Sequence, residues 1–217
     1  MKKTTSVLLA AALGLSAVDA MAAQPVADQG FYLLGAWGQA QADINNAQID
    51  ASFRALGAAT ALTTSDDRVY AWKIGAGYQF SRHFALEASY ANFDDFSTTT
   101  TTTGPTGTFL GAIDGKAYSL DAVGILPVNP NFDLFAKVGL QYWDVDTRYT
   151  AVVGSSAAAI NRSDDGTDWK FGVGARWNFT PSFGIQLEWE RYNDVGNSNT
   201  TGKSDIDMVT VGLRWKF

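Results

Sequence analysis

The chain has 217 residues, no cysteine, a single histidine and a formal net charge of -6. The acidic balance sets nucleic acid aside as a partner, because phosphates demand a basic patch. Without cysteine there is no disulfide framework or thiolate metal site, one histidine (His83) leaves no histidine-rich metal centre, and the length fits one domain.

At the amino end, Lys2 and Lys3 precede the apolar run VLLAAALGLSA, and Ala20-Met21-Ala22 fits a small-x-small cleavage site. This pattern predicts a bacterial export signal over 1–22, cut after Ala22. A retained anchor would need about 18 apolar residues, whereas this run is shorter and meets Asp19. The mature part, 23–217, has no other long apolar run, so no membrane-spanning helix is expected in it.

Segments of period two follow, each near the length a tilted strand needs to cross a bilayer. The first starts near Gly30 and is apolar on both faces, which leaves its facing open. In NAQIDASFRALGAATAL, Ile49, Phe53 and Leu56 recur at helical spacing and predict a short helix. Packing of that stripe on the barrel mouth is preferred to an entry port for apolar molecules. VYAWKIGAGYQF then sets Tyr70, Trp72, Ile74, Ala76, Tyr78 and Phe80 against Ala71, Lys73, Gly75, Gly77 and Gln79. Weaker runs start near His83, Lys116 and Phe132. A clear one sets Trp169, Phe171, Val173, Ala175, Trp177 and Phe179 against Lys170, Gly172, Gly174, Arg176 and Asn178. Ile185, Leu187 and Trp189 oppose Gln186, Glu188 and Glu190, and a last run from Ser204 ends in MVTVGLRWKF.

The connections alternate. Long ones lie near 41–67, 97–115, 149–167 and 194–203, and short ones at Ser81-Arg82, Pro127 to Asn131 and Thr180 to Ser182. An even number of up-and-down strands follows, with both termini at the short-turn end. The fold class is therefore all-β: an eight-stranded antiparallel up-and-down transmembrane β-barrel of the bacterial outer membrane. A soluble barrel would put charge outside. Here Lys73, Glu87, Asp121, Lys137, Arg176, Glu188 and Arg214 share a face with glycines, so that face is read as a charge network filling the narrow interior. The aromatics are assigned outwards, to a lower belt (Phe80, Phe84, Trp177, Phe179, Phe183, Phe217) and an upper one (Tyr70, Tyr90, Trp169, Trp189), as membrane interfaces favour. Glu87, Lys137, Arg176 and Glu188 are expected at similar depths, so that opposite charges pair. In the closing strand Val209, Val211, Leu213, Trp215 and Phe217 face lipid.

GAGYQFSRHFALEASYANF resembles the second hairpin of the OmpA family of small outer-membrane barrels, and TPSFGIQLEWERYNDVG with DMVTVGLRWKF resembles its last hairpin and closing strand. The resemblance implies a mainly structural envelope role, outer-membrane lipids and lipopolysaccharide as neighbours, and a monomer. It also implies that Trp215 and Phe217 form the terminal signal read by the barrel assembly machinery. The periplasmic peptidoglycan-binding domain of larger members is not expected. A rival reading is a small pore or an OmpW-like channel for ions or small hydrophobic compounds.

No catalytic residue, cofactor or metal is expected. His83 stands beside a short turn, away from any plausible nucleophile and carboxylate. The pairs Asp66-Asp67, Asp94-Asp95 and Asp164-Asp165 have carboxylates that suit hard cations, but no calcium-loop spacing, so a solvated rim is preferred. STTTTTTGPTGT, Ser97 to Thr108, is read as a flexible surface loop, with contact to phage, host or another cell as its functional alternative.

Overall fold

In the computed structural model, which describes residues 29–196 and 203–217, the period-two segments are strands. The export signal expected over 1–22 lies outside the described residues. In chain order the elements are β1 (Gly30–Ala42), α1 (Asn46–Ala55), β2 (Thr60–Asp66), β3 (Arg68–Ser81), β4 (Phe84–Thr103) and β5 (Gly107–Asn129). They continue with β6 (Phe132–Val153), β7 (Ser156–Asn178), β8 (Phe183–Val195) and β9 (Ser204–Lys216).

All pairings are antiparallel. Leaving β2 aside, each strand pairs with the next, and β9 returns to β1 in a register running from Tyr32↔Lys216 to Ala42↔Ile206. The ring of eight strands is closed. Closure gives every strand two hydrogen-bonding neighbours at the level of the ring, which hydrocarbon surroundings require.

Side-chain parity decides the two surfaces. Outside, Trp72, Ile74, Val173, Leu187, Val211 and Leu213 are exposed. Rings touch in series along the lower edge, from Phe84 through Phe80 and Tyr78 to Phe31, and from Trp177 through Phe179, Phe183 and Trp215 to Phe217. On the upper edge Trp37 stacks on Tyr70, Tyr90 touches both Trp72 and Tyr118, and Phe171 touches both Trp169 and Trp189. From Trp169 to Trp177, a tilted strand climbs roughly 20 Å, near the height of an outer-membrane apolar band. β1 resolves its ambiguity by turning Tyr32, Leu34 and Ala36 in and Phe31, Leu33 and Trp37 out.

The rings named for the two belts lie on the outward side, but other large rings turn inward. Tyr32, Phe93, Phe96, Phe135, Trp143 and Tyr192 are all buried inside. Inward glycines make the room: a Cβ on Gly77 would lie 2.3 Å from the Tyr32 ring, and one on Gly174 would lie 2.4 Å from that of Phe135. Alternation of large and small residues lets a small barrel be filled.

A second correction concerns the long connections. Ser97–Thr108 is not a loose loop: β4 runs to Thr103 and β5 starts at Gly107, with Thr101 paired to Thr108 and also to Leu62 of β2. Likewise 149–167 is strand except for a turn at Gly154-Ser155. Thr and Val are β-branched and pair well when a partner strand lies beside them. The left-handed backbone of Gly104 and Gly154 makes the two sharp turns. The upper parts of β4 to β7, with β2, thus stand above the ring as a five-stranded sheet. Asp94 and Asp95 mark its base, as a bulge opposite Asp114.

The predicted helix is present. Asn45 Oδ1 accepts from Gln48 N at 3.2 Å and caps it, and the Phe53 ring meets Phe109 of β5 at 4.6 Å. Leu56 does not join the stripe; it follows the last helical residue and is 85% exposed.

Candidate functional site

The inward positions of seven strands meet at mid-barrel in one chain of ion pairs. Lys137 Nζ on β6 donates to Glu87 Oε1 on β4 at 2.7 Å and pairs with Glu188 Oε1 on β8. Lys73 on β3 reaches Glu188 Oε2 at 2.7 Å and also pairs with Glu190. Lys170 on β7 joins Glu190 Oε1 at 2.6 Å to Asp121 Oδ2 on β5 at 3.1 Å. Tyr32 on β1 ends the chain by donating its hydroxyl to Glu87 Oε2 at 2.9 Å. All seven charged residues are at most 4% exposed. Partners placed this close offset the cost of removing each charge from water, which none could bear alone.

Of the residues singled out from sequence, Lys73, Glu87, Asp121, Lys137 and Glu188 are brought together here. Arg176 and Arg214 are not. Arg176, expected at the depth of Glu87, Lys137 and Glu188, instead has a contact to Gln186 Oε1 at 3.5 Å and an approach to Asp133 at 3.9 Å. The reason is that Glu188 already has two lysines, one on each carboxylate oxygen. Arg176 lies over the Phe135 ring and Arg214 over the Tyr32 ring, nearer the short-turn end. Lys170 and Glu190 belong to the chain but stand outside the set chosen from sequence. Their signal was available: both are charged and have the inward parity of Arg176 and Glu188.

Above the charges lies an apolar layer that sequence reasoning missed. Phe93, Phe96, Trp143, Val145, Tyr192, Ile206 and Met208 pack together within the ring, with Phe93 and Tyr192 edge to face at 5.3 Å. Trp143 is held by donating its indole N–H to Asp168 at 3.1 Å.

The other candidates fall at the rims. Trp215 and Phe217 are outward in the lower belt, and Phe217 N donates to Phe31 O at 3.0 Å across the β9–β1 seam. His83 is exposed in the short β3–β4 turn. The paired aspartates are engaged with neighbours: Asp67 accepts from Gln41 at 3.0 Å and Asp165 from Tyr142 at 3.1 Å. At the bulge, Arg148 donates to Asp114 at 3.0 Å. Partial burial lifts the Asp114 carboxyl above its ordinary range; Arg148 opposes this, while Asp95 and Asp146 add to it. Among the described residues no cluster of three or more His, Cys, Asp or Glu is arranged to hold a metal ion.

The model of the outer membrane protein beta-barrel domain matches residues 8–217. Outer membrane protein A of Escherichia fergusonii is 26% identical over 116 residues, covering 50% of this chain and 32% of that protein. The chain spans about a third of the length of the curated relatives it matches first. Among solved structures, Neisserial surface protein A superposes with a TM-score of 0.51 at 17% identity, covering 87% of this chain and 97% of that one. Outer membrane protein OprG from Pseudomonas aeruginosa gives 0.51 at 12% identity, over 88% and 97%. Both likenesses concern the fold.

Proposed function

Because the chain belongs to the outer membrane protein beta-barrel domain family, and so to the bacterial outer membrane, we propose that it is a closed barrel with a mainly structural role in the envelope. The observation that carries this reading is the filled interior. A continuous chain of buried ion pairs lies under an apolar layer, and eight strands enclose little more than side chains. Residues 1–22 are the export signal and 23–217 the barrel. The short turns face the periplasm and the five-stranded sheet stands outside the cell. Membrane lipids surround the apolar band, with lipopolysaccharide in the outer leaflet. The barrel assembly machinery reads Trp215 and Phe217, and the folded protein is a monomer. Catalysis is not part of its role, since the one histidine is at the periplasmic turn.

Single-channel recording in planar bilayers tests the closed state. The expected result is no steady current at moderate voltage. A steady, reproducible conductance would overturn it in favour of a small pore or an OmpW-like channel.

A further inference from the structure

Positive charge is concentrated below the ion-pair chain. Arg176 on β7, with Arg214 and Lys216 on β9, points inward at the short-turn end, and each is at most 4% exposed. The carboxylate at this level among the described residues is Asp133. Its Oδ2 accepts from Asn178 Nδ2 at 2.9 Å and stands 3.9 Å from Arg176 Nη1. Glu87, in the layer above, is already committed, one oxygen to Tyr32 and the other to Lys137.

Arg214 therefore rests on a neutral amide, and Arg176 has a long approach to Asp133 beside a second amide. Gln79 Oε1 accepts from Arg214 Nη2 at 3.0 Å and from Lys216 Nζ at 3.1 Å, so one amide oxygen serves two cations. Gln186 offers Arg176 a long contact at 3.5 Å. Arg214 Nε is buried and has no acceptor. Arginine cannot escape by losing its proton, and its five N–H groups form a fork shaped for a planar or tetrahedral oxyanion. A buried cation without a counter-charge is unfavourable.

We infer that the short-turn end of the lumen is a binding site for a small oxyanion, phosphate or carboxylate, held between Arg176 and Arg214. The anion supplies negative charge beside Arg214 and accepts from the orphaned Nε. The site lies below the plug, so its failure would leave the closed-lumen reading untouched.

The test is a titration of the purified, folded, full-length barrel in detergent with inorganic phosphate, and separately with acetate, each at ionic strength held constant with sodium chloride. Calorimetry reads binding and the urea midpoint reads stabilisation. The expected result is saturable binding of at least one of the two, with a rising midpoint; which one acts identifies the source of the oxyanion. Arg214→Met should weaken that binding by about tenfold or more, the worth of one charge-assisted hydrogen bond. If that variant does not fold, Arg176→Lys, which keeps the charge and removes the fork, gives the same comparison. No saturable binding of either anion to the native barrel, or equal binding to native and variant proteins, overturns the site.

Discussion

Glu188 is the residue on which the interior turns, because its two carboxylate oxygens serve two lysines from different strands, Lys73 and Lys137. Glu188→Gln takes a direct charged partner from both ammonium groups, leaving Lys73 on Glu190 and Lys137 on Glu87 in a place that water does not reach. Breaking one side of a buried pair typically costs about 3–5 kcal/mol, so a marked fall in the urea midpoint is expected, measured with lipid present. Lys137→Met should also destabilise. The double change should cost less than the sum, since the two share an interaction. Strict additivity would count against a coupled chain. The sequence marks most of these residues as inward, because parity along a strand needs no knowledge of neighbours. It does not mark who pairs with whom. Depth counted from the turns puts Arg176 level with Glu188, yet the lysines of β3 and β6 are the ones that reach it, and the arginine lies over Phe135.

At the scale of elements, the same contrast appears in the upper strands. Eight runs of alternating residues were legible because one face of each meets lipid or lumen. Ser97–Thr108 was not, since a threonine run with Gly-Pro in the middle looks like low-complexity surface chain, and its order depends on partners distant in sequence. Once β2 and β5 flank it, each threonine joins a ladder, and hydroxyls meet directly at Thr63–Thr100, 2.8 Å apart. The inward rings are not legible for a related reason: whether Tyr32 fits depends on Gly77 on the next strand. The protruding sheet gives a sharp expectation for proteolysis of intact cells. Cleavage should fall near Gly104 to Thr106 and at Gly154-Ser155, and should spare the paired segments on either side. Thr101→Pro removes a ladder donor from a strand paired on both sides. Cleavage should then spread through 97–108 while the heat-modifiable folded band on gels is kept. Loss of that band would mean the sheet and the ring do not come apart as units.

For the whole molecule, everything above depends on one seam, where β9 closes on β1. At its lower end Phe217 N donates to Phe31 O at 3.0 Å across the seam, while on the β8 side of β9 Lys216 N donates to Ser182 O at 2.7 Å. Outside, the Phe217 ring extends the belt that passes through Trp215 and Phe183. An open seam in hydrocarbon exposes backbone N–H and C=O groups with no water to satisfy them, so a barrel is either closed to its last residue or unstable. Deleting Phe217 removes a seam hydrogen bond, an interfacial ring and the side chain that the assembly machinery would read. Export should proceed normally, and less protein should reach the membrane as the heat-modifiable form, with more lost to periplasmic proteases. Phe217→Ala separates the contributions, because it keeps the backbone bond and loses the ring. If the alanine variant assembles as poorly as the deletion, the ring is what counts. If it assembles normally while the deletion does not, the seam bond is what counts. Native levels of folded protein from the deletion would show that neither matters, and that closure is decided higher up, between Leu34↔Arg214 and Ala42↔Ile206.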